Sequence, residues 1–181
     1  MRINLYGGPG SGKSTCAASV FAKLKMLGVP VELVAEYIKL WAYEKRKVES
    51  FDQVYIFAKQ QRREDRLLRA KVQVIVSDSP LYLQCMYAKR FNAPGWEELI
   101  NLARKFEEKY SSINLLLKRH NGRYDTGGRY QSKDEALQVD TEIREFLDTY
   151  KIPYIEVLND PQEIVVLALH QIKDATTLCT D

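Results

Sequence analysis

The feature that most constrains the fold is a glycine-rich segment near the start of the chain, residues 7–14, which read GGPGSGKS. These residues match the pattern G-x-x-x-x-G-K-[ST] in full. A short apolar run, Ile3–Tyr6, precedes the segment, and a stretch with helical character follows it. This order predicts a strand, a phosphate-binding loop and a helix whose positive N-terminal end faces an anion. The segment therefore predicts a site for a nucleoside triphosphate.

The predicted loop implies a role for several of its residues. Its glycines let backbone N–H groups turn inward around a phosphate, Lys13 can reach the β- and γ-phosphates, and the Ser14 hydroxyl can ligate Mg²⁺. ATP and Mg²⁺ are therefore the expected cofactors. The predicted nucleotide-binding residues are Gly8, Gly10, Ser11, Gly12, Lys13, Ser14 and Thr15.

Short β-rich runs alternate with longer stretches of helical character along the chain. Several of the runs are apolar nearly throughout, as strands buried on both faces of a sheet must be. The predicted strands are Ile3–Tyr6, Val31–Val34, Val72–Val76, Ile113–Leu117 and Ile152–Val157. The predicted helices cover 13–27, 37–48, 52–71, 80–91, 96–110, 133–150 and 161–173. Strands joined by helical crossovers predict an α/β fold, a doubly wound, five-stranded parallel sheet with helices on both faces.

Length and composition exclude several protein classes. With 181 residues, 45% of them hydrophobic and 28% charged, the chain suits a single globular domain over 1–181 rather than a disordered segment or a coiled coil. Three cysteines at unrelated spacings do not make a disulfide framework. The longest apolar run, Ile164–Leu169, is far short of the ~20 residues that span a bilayer. We therefore expect a cytoplasmic protein with no signal peptide and no membrane partner.

The net charge of +3 hides an uneven distribution of charged residues. Residues 45–71 include nine basic and four acidic residues, 104–133 include eight and three, and 134–181 include three and eleven. The two basic blocks suit an anionic partner such as nucleic acid. They suit equally well the solvated faces of helices, so charge alone leaves both interpretations open.

A segment without a periodic apolar pattern, residues 119–132, follows the fourth predicted strand. It is rich in glycine and contains Arg119, Arg123 and Arg129. This composition is typical of a lid rather than of a packed element. Arg119 and Arg123 are predicted to neutralise charge on a transferring phosphoryl group, and Arg129 to contact the substrate. An ordinary surface position is the alternative for each arginine taken singly.

Two carboxylates follow predicted strands, at the edge where open α/β sheets bind their ligands. Asp78 can hold Mg²⁺ directly or through its waters, and its alternative role is a helix N-cap. Glu36 can accept the proton of an attacking hydroxyl, and its alternative is a simple ion pair with an arginine. Because a phosphate acceptor needs no base, Glu36 favours a hydroxyl acceptor. The predicted catalytic residues are Lys13, Glu36, Asp78, Arg119 and Arg123, and the predicted metal ligands are Ser14 and Asp78.

Recognition of the acceptor is predicted to fall to the middle of the chain. The Gln60 amide can pair with the edge of a pyrimidine, and Arg63 can hold an acceptor phosphate. Tyr37 and Trp41 stand four residues apart on a predicted helix and can stack on a base. Aromatic residues at this spacing also suit a hydrophobic core, which is the alternative for both.

Three motifs of the chain resemble those of small P-loop nucleotide kinases. Residues 7–15 (GGPGSGKST), 34–37 (VAEY) and 77–80 (SDSP) are similar to motifs of the thymidylate kinase family. The resemblance is closest to phage-encoded 5-hydroxymethyluracil DNA kinases. It implies the three-layer P-loop NTPase sandwich of nucleoside and nucleotide kinases, with an arginine-rich lid. It also implies transfer of the γ-phosphoryl group of ATP to the 5-hydroxymethyl group of hydroxymethyluracil in phage DNA, during thymidine hypermodification.

Two other functions stay open at this point. A soluble deoxynucleoside or (deoxy)nucleoside-monophosphate kinase would use the same site on a free acceptor. A regulatory nucleotide-binding ATPase module would bind the triphosphate without passing its phosphoryl group to an acceptor. The expected partners are thus a nucleoside triphosphate and a nucleotide-type acceptor, which is DNA in the first case. The expected assembly is a monomer or a homodimer, in the host cytoplasm if the protein is viral.

Overall fold

The computed structural model describes residues 1–119 and 133–177, and the side chains of 1–119 and 134–173. Five strands and seven helices alternate in this part of the chain. The strands are β1 (Arg2–Tyr6), β2 (Val31–Val34), β3 (Val74–Ser77), β4 (Ser112–Lys118) and β5 (Ile155–Leu158). The helices are α1 (Lys13–Met26), α2 (Lys39–Tyr43), α3 (Asp52–Arg69), α4 (Leu81–Arg90), α5 (Trp96–Lys109), α6 (Lys133–Thr149) and α7 (Pro161–Thr177).

The five strands form one parallel sheet in the order β2-β3-β1-β4-β5. The first strand therefore lies in the centre, with Ile3 opposite Val76 on one side and Ile113 on the other. Because all strands are parallel, the loops that follow them meet at one edge of the sheet. The loop between β1 and α1 lies at the middle of that edge, where the strand order reverses and ligands of open α/β sheets bind.

Side chains of the central strand alternate between two helical layers. Ile3 and Leu5 belong to a core cluster with residues of α1 and α7, whereas Tyr6 belongs to a second cluster with residues of α3, α4, α5 and α6. This alternation follows from the two-residue period of a strand. The predicted α/β sandwich with a five-stranded parallel sheet is therefore confirmed.

The second layer covers a buried polar network on the central strand. The Asn4 amide donates to Asn114 Oδ1 (2.9 Å), and the two residues are direct neighbours in the β1–β4 register. Arg2 donates to Glu64 Oε2 (3.2 Å) and Glu107 Oε2 (2.5 Å). These partners make polar residues compatible with a central strand, because buried polar groups are costly only when unpaired.

Two of the predicted elements differ from the structure. The helix predicted over 37–48 spans only Lys39–Tyr43, and an irregular segment with positive φ at Lys45 (55°) and Ser50 (46°) follows it. The last strand begins at Ile155 rather than at 152. None of the described helices is long and apolar enough to cross a membrane.

Candidate functional site

The phosphate-binding loop joins the centre of the sheet to the start of α1. Gly10 (φ 73°) and Gly12 (φ 92°) adopt left-handed conformations that side-chain-bearing residues avoid. The Lys13 ammonium donates to the carbonyl oxygens of Gly7 (2.6 Å) and Gly8 (3.0 Å), so it lies over the loop. Burial lowers the pKa of Lys13, while the nearby carboxylates of Glu36 and Asp78 oppose this shift.

A cavity of about 600 Å³ opens beside this loop. Residues of the loop and of the start of α1 form one part of its wall, among them Gly12, Lys13 and Ser14. The other part comes from Glu36, α2, the segment 47–49, and residues of α3 and α4. This volume lies in the range of ~300–1,000 Å³ that is typical of small-molecule sites. One cavity can therefore hold a phosphoryl group at the loop and an acceptor against the opposite wall.

Glu36 follows β2 and lines the cavity, as expected of a residue at this edge of the sheet. Burial raises the pKa of its carboxyl group, Lys13 acts in the opposite direction, and Asp78 raises the pKa further. A carboxylate with a raised pKa is a stronger base than an ordinary glutamate. The environment of Glu36 therefore suits acceptance of a proton.

Asp78 follows β3 and is only 4% exposed. Its Oδ1 atom is buried and accepts no hydrogen bond from the described residues. A buried carboxylate oxygen without a donor is unfavourable unless a cation is its partner. The Ser14 hydroxyl belongs to an exposed residue of the cavity wall. Asp78 does not line the cavity, but its charge acts on Lys13. A hydroxyl and a carboxylate are donors that suit Mg²⁺, which binds to one or two protein oxygens and keeps several waters.

The remaining cavity wall contains two glutamines that the sequence analysis missed. Gln53 of α3 and Gln84 of α4 both line the cavity, together with the stacked rings of Tyr87 and Phe91. Gln53 is buried, and its Oε1 atom has no donor among the described residues. One signal in the sequence points to Gln53, because this polar residue shares the face of α3 that buries Ile56 and Phe57.

The described residues that were predicted to bind the acceptor do not line this cavity. Gln60 is fully buried and donates weakly to Ser77 Oγ (3.4 Å). Trp41, 6% exposed, lies in a cluster with Tyr37 and Tyr55. Arg63 donates to the carbonyl of Ala35 (3.0 Å) and lies over the Tyr37 ring. Tyr37, Trp41 and Arg63 thus contact other protein groups, and Gln60 lies against β3. The role of these residues in binding an acceptor stays a prediction.

Arg119 lies against the outer side of the phosphate-binding loop rather than in the cavity wall. Its Nε donates to Asp140 Oδ2 (2.6 Å), and its Nη2 donates to the carbonyl of Pro9 (2.9 Å). The Gly8 N–H donates to the other oxygen of Asp140 (2.5 Å). The other two predicted lid arginines, at 123 and 129, lie outside the described residues.

A second contact holds the loop from the side of β5. The Asn159 amide, in the connection between β5 and α7, donates to the carbonyl of Ser11 (2.8 Å). A Cβ on Gly12 would overlap the amide nitrogen of Asn159. The sequence carries no signal for this contact, because the two residues are far apart in the chain.

A glycine-rich loop between a central parallel strand and a helix, with an inward-turned lysine, defines the class of P-loop proteins. Within that class, residues 2–163 match a family described as an AAA domain, and the chain belongs to this family. No curated protein matches the chain.

The fold is similar to that of deoxyadenosine kinase from M. mycoides. The structure of this kinase with bound dATP has a TM-score of 0.56 and 17% sequence identity, and the match covers 96% of this chain and 100% of the kinase. A second structure of it, with the products dCMP and a flexible dCDP bound, has a TM-score of 0.53 with the same identity and coverage. At this identity the likeness defines the fold alone.

Proposed function

We propose that the chain is an ATP-dependent kinase that transfers the γ-phosphoryl group to a hydroxyl of a nucleoside-type acceptor. The observation that carries the proposal is the single cavity shared by the P-loop, Glu36 and the polar wall of α3 and α4. A triphosphate site alone would need neither a partly desolvated base nor an opposite wall. One cavity with this lining can hold an acceptor hydroxyl, a base and a phosphoryl group within one volume.

In the proposed reaction, the N–H groups of the loop and Lys13 bind the triphosphate. The Glu36 carboxylate accepts the proton of the acceptor hydroxyl while the hydroxyl oxygen forms a bond to the γ-phosphorus. ADP leaves with the electron pair of the broken P–O bond. Mg²⁺, for which Ser14 and Asp78 are suited, supplies neutralisation of phosphate charge when it is bound. Roles for Arg123 and Arg129 in this reaction stay predictions.

The composition of the cavity wall bears on whether the acceptor group is a hydroxyl or a phosphate. Among the described residues of the wall there is no arginine, the usual bidentate partner of a phosphate. The carboxylates of Glu36 and Glu49 line the cavity and would repel a dianionic monophosphate, whereas the ammonium groups of Lys39 and Lys47 in the same wall would attract it. A base such as Glu36 is needed only for a hydroxyl acceptor. The amides of Gln53 and Gln84 offer uncharged donors and acceptors that suit the edge of a base.

Our best candidate for the acceptor is the 5-hydroxymethyl group of hydroxymethyluracil in DNA. A row of cationic side chains on α3 supports a polymeric, anionic acceptor such as DNA. Lys59, Arg62, Arg63 and Arg66 stand at positions i, i+3, i+4 and i+7, which is one face of a helix. Tyr55 continues this face one turn earlier and is exposed. Exposed cations with an aromatic residue are typical of surfaces that bind single-stranded nucleic acid.

A soluble deoxynucleoside or nucleoside-monophosphate kinase is the second candidate. It is supported by the fold shared with a deoxyadenosine kinase whose product complex contains dCMP. A regulatory nucleotide-binding ATPase module is a third candidate, of another class, and membership of the AAA domain family is the observation in its favour.

The decisive experiment offers radiolabelled ATP with four kinds of acceptor: DNA that contains hydroxymethyluracil, plain DNA, free nucleosides and nucleoside monophosphates. The proposal expects label on the modified DNA and none on plain DNA. Label on free nucleosides alone would favour the soluble nucleoside kinase, and label on monophosphates alone would contradict a hydroxyl acceptor. ATP binding without any transfer would favour the regulatory module.

Two matched variants test the polymer surface. Arg62→Ala/Arg66→Ala removes two exposed cations from the row on α3, and Lys23→Ala/Lys25→Ala removes two exposed cations from α1, in the other helical layer. We expect only the first variant to weaken binding of a fluorescent single-stranded oligonucleotide and to flatten its salt dependence, because phosphate contacts release counterions. Equal effects of the two variants would remove α3 from the acceptor surface.

A further inference from the structure

Asp140 of α6 joins the P-loop to Arg119, the residue that follows β4. One carboxylate oxygen accepts the N–H of Gly8 (2.5 Å), and the other accepts Nε of Arg119 (2.6 Å). Arg119 completes the contact by donating to the carbonyl of Pro9 (2.9 Å) and, more weakly, to that of Ala136 (3.4 Å). Two residues of the loop, of which only Pro9 lines the cavity, are thereby tied to α6 and to the residue that follows β4.

The close approach of the loop to α6 depends on the residue at position 8. A Cβ on Gly8 would lie 2.7 Å from the carbonyl oxygen of Ala136 and 2.7 Å from Asp140 Oδ1. Both distances are too short for a side chain, and the first partner is backbone. Glycine at this position therefore permits the hydrogen bond to Asp140.

A carboxylate beside a triphosphate site is electrostatically unfavourable. Like charges repel, and the N-terminal half of the loop would hold a strongly anionic ligand. An aspartate here is understandable only if its contacts contribute more to binding than its charge costs. Its two hydrogen bonds involve an ionised acceptor, and such bonds are the strong ones in proteins.

We propose that Asp140 is a positioning residue for the nucleotide. It holds the outer side of the P-loop through the Gly8 N–H, and it keeps the Arg119 guanidinium against Pro9, so that the loop is ordered before the triphosphate binds. The inner N–H groups of the loop then need little rearrangement to meet phosphate oxygens, which lowers the entropic cost of binding. This inference rests on the nucleotide binding in the proposed function and is independent of the acceptor.

The direction in which Asp140→Asn changes the dissociation constant for ATP separates positioning from simple electrostatics. In Asp140→Asn, the amide oxygen can still accept the Gly8 N–H, but its NH₂ group then faces the Nε–H of Arg119 and cannot bond to it. Loss of a negative charge by itself would tighten ATP binding. Loss of positioning would weaken it instead, by about tenfold or more, as is typical of a lost charge-assisted hydrogen bond.

Glu142→Gln on the same helix is the matched control. Glu142 is as exposed as Asp140 (26% each) and pairs with Arg90, which is 20% exposed against 18% for Arg119. Both variants therefore lose one carboxylate charge and one half-buried ion pair. A fall in melting temperature common to both variants measures the structural role of such a pair. The dissociation constant of a fluorescent ATP analogue, titrated without acceptor, measures positioning.

We expect Asp140→Asn to raise this dissociation constant and Glu142→Gln to leave it unchanged. In Arg119→Gln/Asp140→Asn, the loss should equal that of Arg119→Gln alone, because the two residues act as one unit. If Asp140→Asn does not fold, Asp140→Glu keeps the charge but displaces the carboxylate, so weaker binding than in its control Glu142→Asp again indicates positioning. Three results would each overturn the proposal: unchanged or tighter ATP binding by Asp140→Asn, an equal loss of affinity in Asp140→Asn and its control Glu142→Gln, or no ATP binding by the unaltered chain. Normal ATP binding without phosphoryl transfer would contradict the kinase and leave this inference standing.

Discussion

Gly12 and Asn159 provide the most direct test of how the P-loop is held. In Gly12→Ala, the new Cβ would overlap the amide nitrogen of Asn159 and lie 3.3 Å from its Cγ. The Asn159 side chain must therefore rotate away, which breaks its hydrogen bond to the carbonyl of Ser11 (2.8 Å). The backbone at position 12 also has φ 92°, a conformation that alanine adopts only with strain.

These contacts fix the expected free energies of unfolding. The hydrogen bond contributes ~1 kcal/mol, and a left-handed conformation costs a residue other than glycine ~1–2 kcal/mol. Gly12→Ala should therefore destabilise the fold by about 2–3 kcal/mol, and Asn159→Ala by about 1 kcal/mol. In the double variant, the hydrogen bond is lost only once and the overlap is absent. The double variant should therefore be no less stable than Gly12→Ala alone.

Urea unfolding of the four proteins, followed by circular dichroism, measures this coupling. Independent sites usually add to within ~0.3–0.5 kcal/mol, so a coupling of about 1 kcal/mol is resolvable. If the two single losses simply add in the double variant, Asn159 does not yield to the new Cβ, and our account of the contact is wrong.

Further predictions concern the catalytic base and the buried network. Glu36→Gln should lower kcat by ~10²–10⁴-fold at nearly unchanged ATP affinity. A kcat close to that of the unaltered enzyme would show that Glu36 is not the base. Burial raises the pKa of Glu36. Because the base must be deprotonated, the rate of the unaltered enzyme should decrease on acidification, and the decrease should begin at a higher pH than an ordinary glutamate would cause. Stopped assays across pH measure this decrease, and its absence would contradict the assignment of Glu36 as the base. Arg2→Met leaves the fully buried Glu64 without its ion pair and should cost ~3–5 kcal/mol in urea unfolding. Adding Glu64→Gln should recover part of this loss of stability. If the double variant is no more stable than Arg2→Met, the unpaired charge of Glu64 is not the cause of the loss.

The sequence analysis succeeded where the signal is local. The P-loop, its helix and the strand before it are contiguous, and glycine, lysine and serine at fixed spacing leave one backbone geometry open to them. The position of Glu36 in the cavity wall was also predictable, because parallel strands bring the loops that follow them to one edge.

Sequence patterns do not predict which end of a helix contacts the cavity. Gln53 and Gln60 both lie on the buried face of α3, seven residues and therefore ~10 Å apart along the helix axis. Helical periodicity assigns both to that face, but it does not tell which of them lies beside the P-loop. The structure places Gln53 in the cavity wall and buries Gln60 against Ser77.

By itself, the sequence determined the parallel α/β fold and the existence of a phosphate-binding loop. Only the tertiary structure showed how that loop is held, by Asp140 from α6 and by Asn159 from the connection after β5. These residues stand more than 130 positions from their partners in the loop and match no periodic pattern. A hydrogen bond requires its two atoms to lie within ~3 Å of each other, and between residues so far apart in the chain only the packed fold sets that distance.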